Sequence, residues 1–289
     1  MSANQNSFGA DYKYPVNGEF AAPYRARQIR AAIDSRPRWT AEEMQGVQKD
    51  VYAGFSHFLA QQTVAAWDRH PASRASIKTA IEILRNWNGQ MEKGTPAPMI
   101  ATLLYIALRD AAADSAAPAS SRNYAPVFGA AVVERLLRER PGGWFPDFDQ
   151  LLLDCLGKAI ADGEKRQGSR VSRWDWGQYL QLTILHPVGG RLPFLGKYFN
   201  IGPVPMSGSG YTIKAATERL GPSMRMIVDF ADLDQSFASL PVGQSGHFLS
   251  KHYKDQWKAY YAGRSFRMQF DKVEPVDTLL VTPMFTGGK

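Results

Sequence analysis

The apolar residues of this chain change their spacing near residue 175, and that change limits the architectures open to it. Upstream they recur at helical intervals. In "TAEEMQGVQKDV", Thr40 and Glu43 stand three apart, the spacing of a capping box, ahead of an apolar stripe at Met44, Val47, Val51, Phe55 and Phe58. A second stripe, Ile77, Ile81, Leu84 and Trp87, predicts a helix with Gly89 as its C-cap. Further helices are predicted around 99–110, 129–138 and 149–166, and the small, polar "AAADSAAPASS" between them reads as a mobile surface connection. Downstream, "QYLQLTILH", "GYTIKAA", "SMRMIVDF" and "DTLLVTPM" are short, β-branched or aromatic, and bounded by Gly or Pro. Met224, Met226 and Val228 alternate with Arg225 and Asp229, but Ile227 interrupts them, which predicts a strand covered on both faces. Helices first and strands later predict an α+β fold, with 1–175 mainly helical and 176–289 strand-rich. No internal repeat is visible.

Composition narrows the function classes. A chain of 289 residues with 44% hydrophobic and 12% aromatic side chains can bury a sizeable core. Its net charge of +7 comes from 34 basic and 27 acidic residues that are scattered, with no finger, RNP or basic-helix motif, so no nucleic-acid partner is expected. The single cysteine, Cys155, can form neither an internal disulfide nor a cysteine metal site, and reads as a buried small hydrophobe. No apolar run approaches the ~18 residues that span a bilayer, so no membrane partner is expected. The opening "MSANQNSFGADYKYPVNGEF" has no secretory pattern and, taken alone, predicts a cytoplasmic chain.

The stretch "LPVGQSGHFLSKHYKDQ" gathers Ser245, His247, His252 and Asp255, the residue types of a serine hydrolase. A nucleophile elbow needs Gly-x-Ser-x-Gly, and here the second glycine, Gly246, comes one place early. A tight loop followed by a short helix over 251–262 is the plainer expectation. His247 and His252 are five apart rather than four, so they do not share a helical face as a zinc pair would, and His186 is distant. "SGSGYTIKAATERLGPS" lacks the Gly-Lys-Ser/Thr of a phosphate loop and reads as a turn before a strand, and the tryptophans of "RWDWG" are expected in packing.

Several segments in a fixed order carry more information than any of these. "SANQNSFG", "YPVNGEFAAPYRARQI", "TAEEMQGVQKDV", "ILRNWNGQME", "RWDWGQYLQLTILHP", "GPSMRMIVDFAD" and "LPVGQSGHFLSKHYKDQWKAY" precede a final "LLVTPM". This order resembles the C-terminal part of the second (β) chain of the penicillin acylase family, from residue 2 to about 284. Its most specific element is the terminal Gly-Gln-Ser-Gly…His-Tyr-x-Asp-Gln block. The resemblance implies an N-terminal-nucleophile amidohydrolase, and the chain, 1–289, would be an incomplete portion of that family's four-layer αββα domain.

The resemblance moves the chemistry away from Ser245. In the family the nucleophile is a serine exposed at the start of the second chain by self-cleavage, and its own α-amino group is the general base. An α-amine, with a pKa of about 7.7–8.0, can take a proton at neutral pH without a histidine. Asn4, in "SANQN", matches the family's asparagine that donates to the oxyanion, and Arg25, in "PYRARQI", matches an arginine near the nucleophile. The resemblance implies a fixed positive charge at Arg25 that lowers the pKa of the amine. Without it, Asn4 would read as a turn residue and Arg25 as a surface helix start.

The nucleophilic serine and the β-rich section around it would lie upstream of Asn4, and Ser2 stands too close to Asn4 to face it. The chain is therefore expected to be inactive alone, with exposed apolar faces and with Asn4 on a loose end; the alternative is a non-catalytic subunit that completes a split acylase. The implied partners are an amide substrate (a β-lactam, an acyl-homoserine lactone or a lipopeptide) and the remainder of the acylase chain. No cofactor is implied in this chain; calcium occurs in many complete members, with most ligands upstream. The family is commonly exported, which implies the periplasm for the complete protein.

Overall fold

A computed structural model describes residues 2–9, 11–70, 75–192 and 194–274. These form two compact units, one comprising the chain up to Trp39 with Gly46–Ser223, the other Thr40–Gln45 with the chain from Met224 onward.

The larger unit is mainly helical. Its elements are α1 (Tyr24–Asp34), the last turn of α2 (Ala41–Gln48) from Gly46 on, α3 (Gly54–Arg69), α4 (Ala75–Arg85), α5 (Ala97–Ala116), the one-turn α6 (Ser121–Tyr124), α7 (Ala130–Glu139), α8 (Phe148–Gln167) and the one-turn α9 (Trp176–Tyr179). Helix α5, "APMIATLLYIALRDAAADSA", has 10 buried residues. A helix apolar on most sides must be enclosed, and α3, α4, α7 and α8 pack against it. Phe55, Leu59, Ile81, Leu104, Leu152 and Leu156 are fully buried at the centre, each worth about 1.5–3 kcal/mol over its exposed state. Helix α8 starts sharply because Asp147 Oδ1 accepts from the N–H groups of Asp149 (2.7 Å) and Gln150 (3.0 Å), satisfying two of its free donors. Gly163 lies within α8 because a Cβ there would collide with the Trp174 ring, which is itself buried.

Three helical expectations are corrected. The stripe read from Met44 to Phe58 is not one helix: it breaks between α2 and α3, where Val51 and Gly89–Met91 exchange backbone bonds, with Ala53 N donating to Gly89 O (2.9 Å) and Met91 N to Val51 O (2.9 Å). Gly89 is consequently no helix cap. Helix α4 ends at Arg85, and Gly89, at φ 82°, lies in this cross-chain contact against the Tyr52 ring, where only glycine adopts the backbone without strain. The connection "AAADSAAPASS" is half helix, since α5 continues to Ala116 and buries Ala112 and Ala113. The capping box stands as read: Thr40 N donates to Glu43 Oε2 (2.8 Å) and Glu43 N to Thr40 Oγ1 (3.2 Å). Thr40→Ala is expected to lower stability by about 1 kcal/mol, measurable as a shifted midpoint in urea.

Strands are fewer and shorter than the sequence pattern indicated. In the larger unit β1 (Gln181–Ile184) pairs antiparallel with β2 (Ile201–Pro205), with an irregularity between Leu182 and Ile184, and α10 (Gly196–Phe199) is one turn between them. "GYTIKAA" makes no strand, only a bridge between Ser209 and Ala215. Buried Thr212 explains why: its hydroxyl accepts from Ser209 N (2.9 Å) and donates to Lys214 O (2.7 Å), closing a local turn in place of a ladder.

The smaller unit holds a three-stranded antiparallel sheet, β3 (Arg225–Ile227), β4 (Phe237–Ser239) and β5 (Phe266–Arg267), in the order β3-β4-β5, followed in the chain between β4 and β5 by α11 (Trp257–Tyr261). The strand in "SMRMIVDF" forms as β3, but it is covered on one face only and not on both as expected. Arg225 is only 4% exposed, whereas Met224 and Met226 are 53% and 44% exposed. The Arg225 guanidinium lies 4.4 Å from the Tyr260 ring centroid and donates to Tyr260 O (3.1 Å). The flat cation thus fills the inner face by stacking. The Met face, continued by Phe266 and Met268, is open. The predicted strand in "DTLLVTPM" lies outside the described residues. The helix expected over 251–262 is confined to α11, because Lys251–Gln256 is taken up by turns. Among the described residues no helix is long and apolar enough to cross a membrane.

Candidate active site

Asn4 and Arg25, 21 residues apart, are brought into contact. Arg25 sits one residue into α1 and donates from Nη2 to Asn4 Oδ1 at 2.8 Å. Asn4 has a left-handed backbone, φ 65°, a conformation that asparagine tolerates better than most residues. Its carbonyl accepts from Ala21 N at 2.8 Å. The residue expected on a loose end is thus tied to the α1 approach through both backbone and side chain. With Oδ1 occupied by a cation, the Nδ2 hydrogens have no acceptor among the described residues. An amide oriented in this way can donate to a developing negative charge.

Ser245 is placed differently. Its Oγ accepts from the His247 backbone N (3.1 Å), and its own N donates to His252 O (3.1 Å). The His252 ring pairs instead with Asp255 (Nδ1 to Oδ2, 2.8 Å), and the His247 ring stacks on Phe248. Gly243 closes the same loop, its N donating to Tyr253 O (3.0 Å). No imidazole reaches the hydroxyl, so the loop holds itself together and does not activate its serine. Ser245→Ala is expected to leave any amide hydrolysis by the complete protein within twofold of wild type, and fluorophosphonate is expected to leave Ser245 unlabelled in peptide mapping.

The remaining candidates take structural places. Cys155 is buried, and burial pushes its thiol up to about 12, far from a reactive thiolate. Trp174 and Trp176 are buried with their Nε1 groups donating to Gly168 O (2.8 Å) and Gly208 O (3.0 Å). His186 Nδ1 accepts from Gly189 N (2.9 Å). Among the described residues no group of three or more His, Cys, Asp or Glu is arranged to hold a metal ion.

The ordered segments agree with a comparison of the whole sequence with family profiles. Residues 1–275 match the profile of penicillin amidase. This chain belongs to the penicillin amidase family. Among curated proteins it is similar to the acyl-homoserine lactone acylase QuiP of Pseudomonas aeruginosa, at 29% identity over 161 residues covering 47% of this chain and 19% of that protein. It is also similar to QuiP of Pseudomonas fluorescens, at 24% identity over 320 residues covering 98% of this chain and 38% of that protein. Among solved structures it superposes on a thermostable penicillin G acylase from Alcaligenes faecalis, with a TM-score of 0.62 and 15% identity, over 97% of this chain and 57% of that one. The chain therefore spans about a fifth to two-fifths of the length of the two curated relatives. Its mixture of helices and small antiparallel sheets is the fold it shares with penicillin acylase.

Sequence reading gave no sign of what surrounds Arg25. Tyr24, one residue before it, is buried, packs its ring against Phe55 (5.6 Å between centroids) and Tyr211 (5.9 Å), and donates its hydroxyl to Glu134 Oε2 on α7 at 2.5 Å. The partners are 110 positions apart, and neither carries a motif.

Proposed function

We propose that this chain is part of an amidohydrolase that cleaves a linear amide by acyl transfer, with Asn4 as oxyanion donor and Arg25 beside it. The observation that carries the proposal is the 2.8 Å bond from Arg25 Nη2 to Asn4 Oδ1, which leaves the amide NH₂ to face substrate. The nucleophile is the N-terminal serine of an acylase segment outside this chain. Its α-amine takes the hydroxyl proton and the oxygen attacks the amide carbonyl. Asn4 Nδ2–H then donates to the carbonyl oxygen as it becomes negative. Collapse expels the amine, which takes up the proton, and water hydrolyses the acyl-serine by the same route. The Arg25 cation disfavours protonation of the α-amine and keeps it basic near neutral pH.

The names of the curated relatives favour an N-acyl-homoserine lactone as the first substrate to try, ahead of β-lactam amides and lipopeptides. The complete protein is proposed to act in the periplasm, and any calcium it carries is proposed to take most of its ligands from outside this chain. The test uses a long-acyl anilide and an acyl-homoserine lactone with the chain alone and with the upstream acylase segment added. No turnover alone and turnover on mixing is the expected result. Steady turnover by the chain alone, abolished by Asn4→Ala, would overturn the absent nucleophile; stable association without turnover would favour a non-catalytic subunit.

A further inference from the structure

The Asn4–Arg25 contact is exposed, and a half-buried arginine in such a contact does not hold one geometry unless something fixes its backbone. Helix α1 has no side-chain cap: its N-cap is Pro23, which has none to give. What holds its first turn is Tyr24. The phenol is enclosed by Phe55 and Tyr211 and reaches Glu134 Oε2 at 2.5 Å. Glu134 is held in turn, its Oε1 accepting from Arg138 Nη2 at 2.7 Å one turn along α7, and the Arg138 guanidinium lies 4.3 Å from the Phe58 ring centroid on α3. Burial, and then the Glu134 carboxylate, push the phenol well above its ordinary pKa, so it stays a proton donor at every working pH. A continuous set of contacts thus runs from α3 through Arg138, Glu134 and Tyr24 to the residue next to Arg25.

We infer that Tyr24 and Glu134 are positioning residues for the oxyanion donor: their hydrogen bond seats the first turn of α1 so that Arg25 holds Asn4 Oδ1 and turns Nδ2 outward. The inference rests on the functional reading of Asn4, but the seating itself can be observed without turnover. Removing the phenol hydroxyl leaves the ring in place and frees the turn to shift by fractions of an ångström, which is enough to misalign a hydrogen bond. The carboxylate of Glu134 can be replaced by an amide oxygen that still accepts, so a graded response is expected.

The test is nitrogen-15 NMR of the 289-residue chain, following Asn4 Nδ2H₂ and Arg25 Nε–H. Tyr24→Phe and Glu134→Ala are expected to shift both side-chain signals from their wild-type positions towards those of Arg25→Ala (for Asn4) and Asn4→Ala (for Arg25). Glu134→Gln is expected to recover most of the shift. In the complete enzyme, Tyr24→Phe is expected to lower kcat three- to tenfold with KM unchanged. If the Asn4 and Arg25 signals stay at their wild-type positions in both Tyr24→Phe and Glu134→Ala, the positioning role is overturned, whatever Asn4 does. If the signals shift but Asn4→Ala leaves turnover intact in the complete enzyme, the positioning stands and the catalytic reading of Asn4 fails.

Discussion

Replacing Asn4 by alanine is expected to lower kcat of the complete enzyme for amide hydrolysis by about 10²–10³, with little change in KM. That is the usual cost of one oxyanion donor. The split follows from where the interaction is made. The ground-state carbonyl carries little charge, and the bond from Nδ2 strengthens only as the tetrahedral oxygen becomes anionic, so binding is spared and the chemical step is not. Asn4→Asp is expected to be no better than alanine, because a carboxylate accepts where the reaction needs a donor and would draw the Arg25 cation onto itself. Steady-state kinetics on an acyl-homoserine lactone decide the matter. A loss confined to KM, or activity within threefold of wild type, removes Asn4 from the chemistry.

Asp149→Ala is expected to destabilise the larger unit by about 2–3 kcal/mol. Asp149 is buried at the start of α8 and takes a two-pronged bond from Arg69 (2.5 and 2.8 Å) and a contact from Arg140 (2.9 Å). Arg69 and Arg140 retain 49% and 37% side-chain exposure. Water therefore re-solvates them when the carboxylate is lost, and the cost falls below the 3–5 kcal/mol of breaking a fully buried pair. The same contacts set a pH dependence. Hydrogen bonding from Arg69, then from Arg140, outweighs desolvation and holds the Asp149 carboxyl at about 2, below its ordinary 3.8. A depressed carboxyl stabilises the fold above the unfolded-state value and loses that contribution as pH falls through the folded one. About 2 kcal/mol present at neutral pH should therefore disappear between about pH 4 and pH 2. Urea midpoints for wild type and Asp149→Ala across that range should converge in acid, and a constant gap would assign the stabilisation to packing instead.

The apolar face formed by Met224, Met226, Phe266 and Met268 agrees with the expectation of uncovered apolar surface. It belongs to the smaller unit.

The sequence by itself determined the helices with strong local signals. Thr40 and Glu43 cap α2 as their spacing requires, and α4, α7 and α8 fall within about two residues of their expected bounds, while α5 runs past the expected 110 to Ala116. These signals act between residues three or four apart, where periodicity is sufficient information. The ordered segments also determined the family, and with it the interest of Asn4 and Arg25, which local reading alone would have placed in a turn and on a helix surface. Tertiary structure decided the rest. The extended pairing of Val51 with Gly89–Met91, which breaks the first stripe, joins segments some 40 residues apart. The one-sided covering of β3, with Arg225 inside and its methionines outside, depends on a Tyr260 ring that no alternation rule can foresee. The seating of Arg25 depends on Tyr24 meeting Glu134 across 110 positions. A hydrogen bond between side chains so far apart leaves no periodic trace in either segment, because its cause is the packing of two helices and not the sequence around either partner.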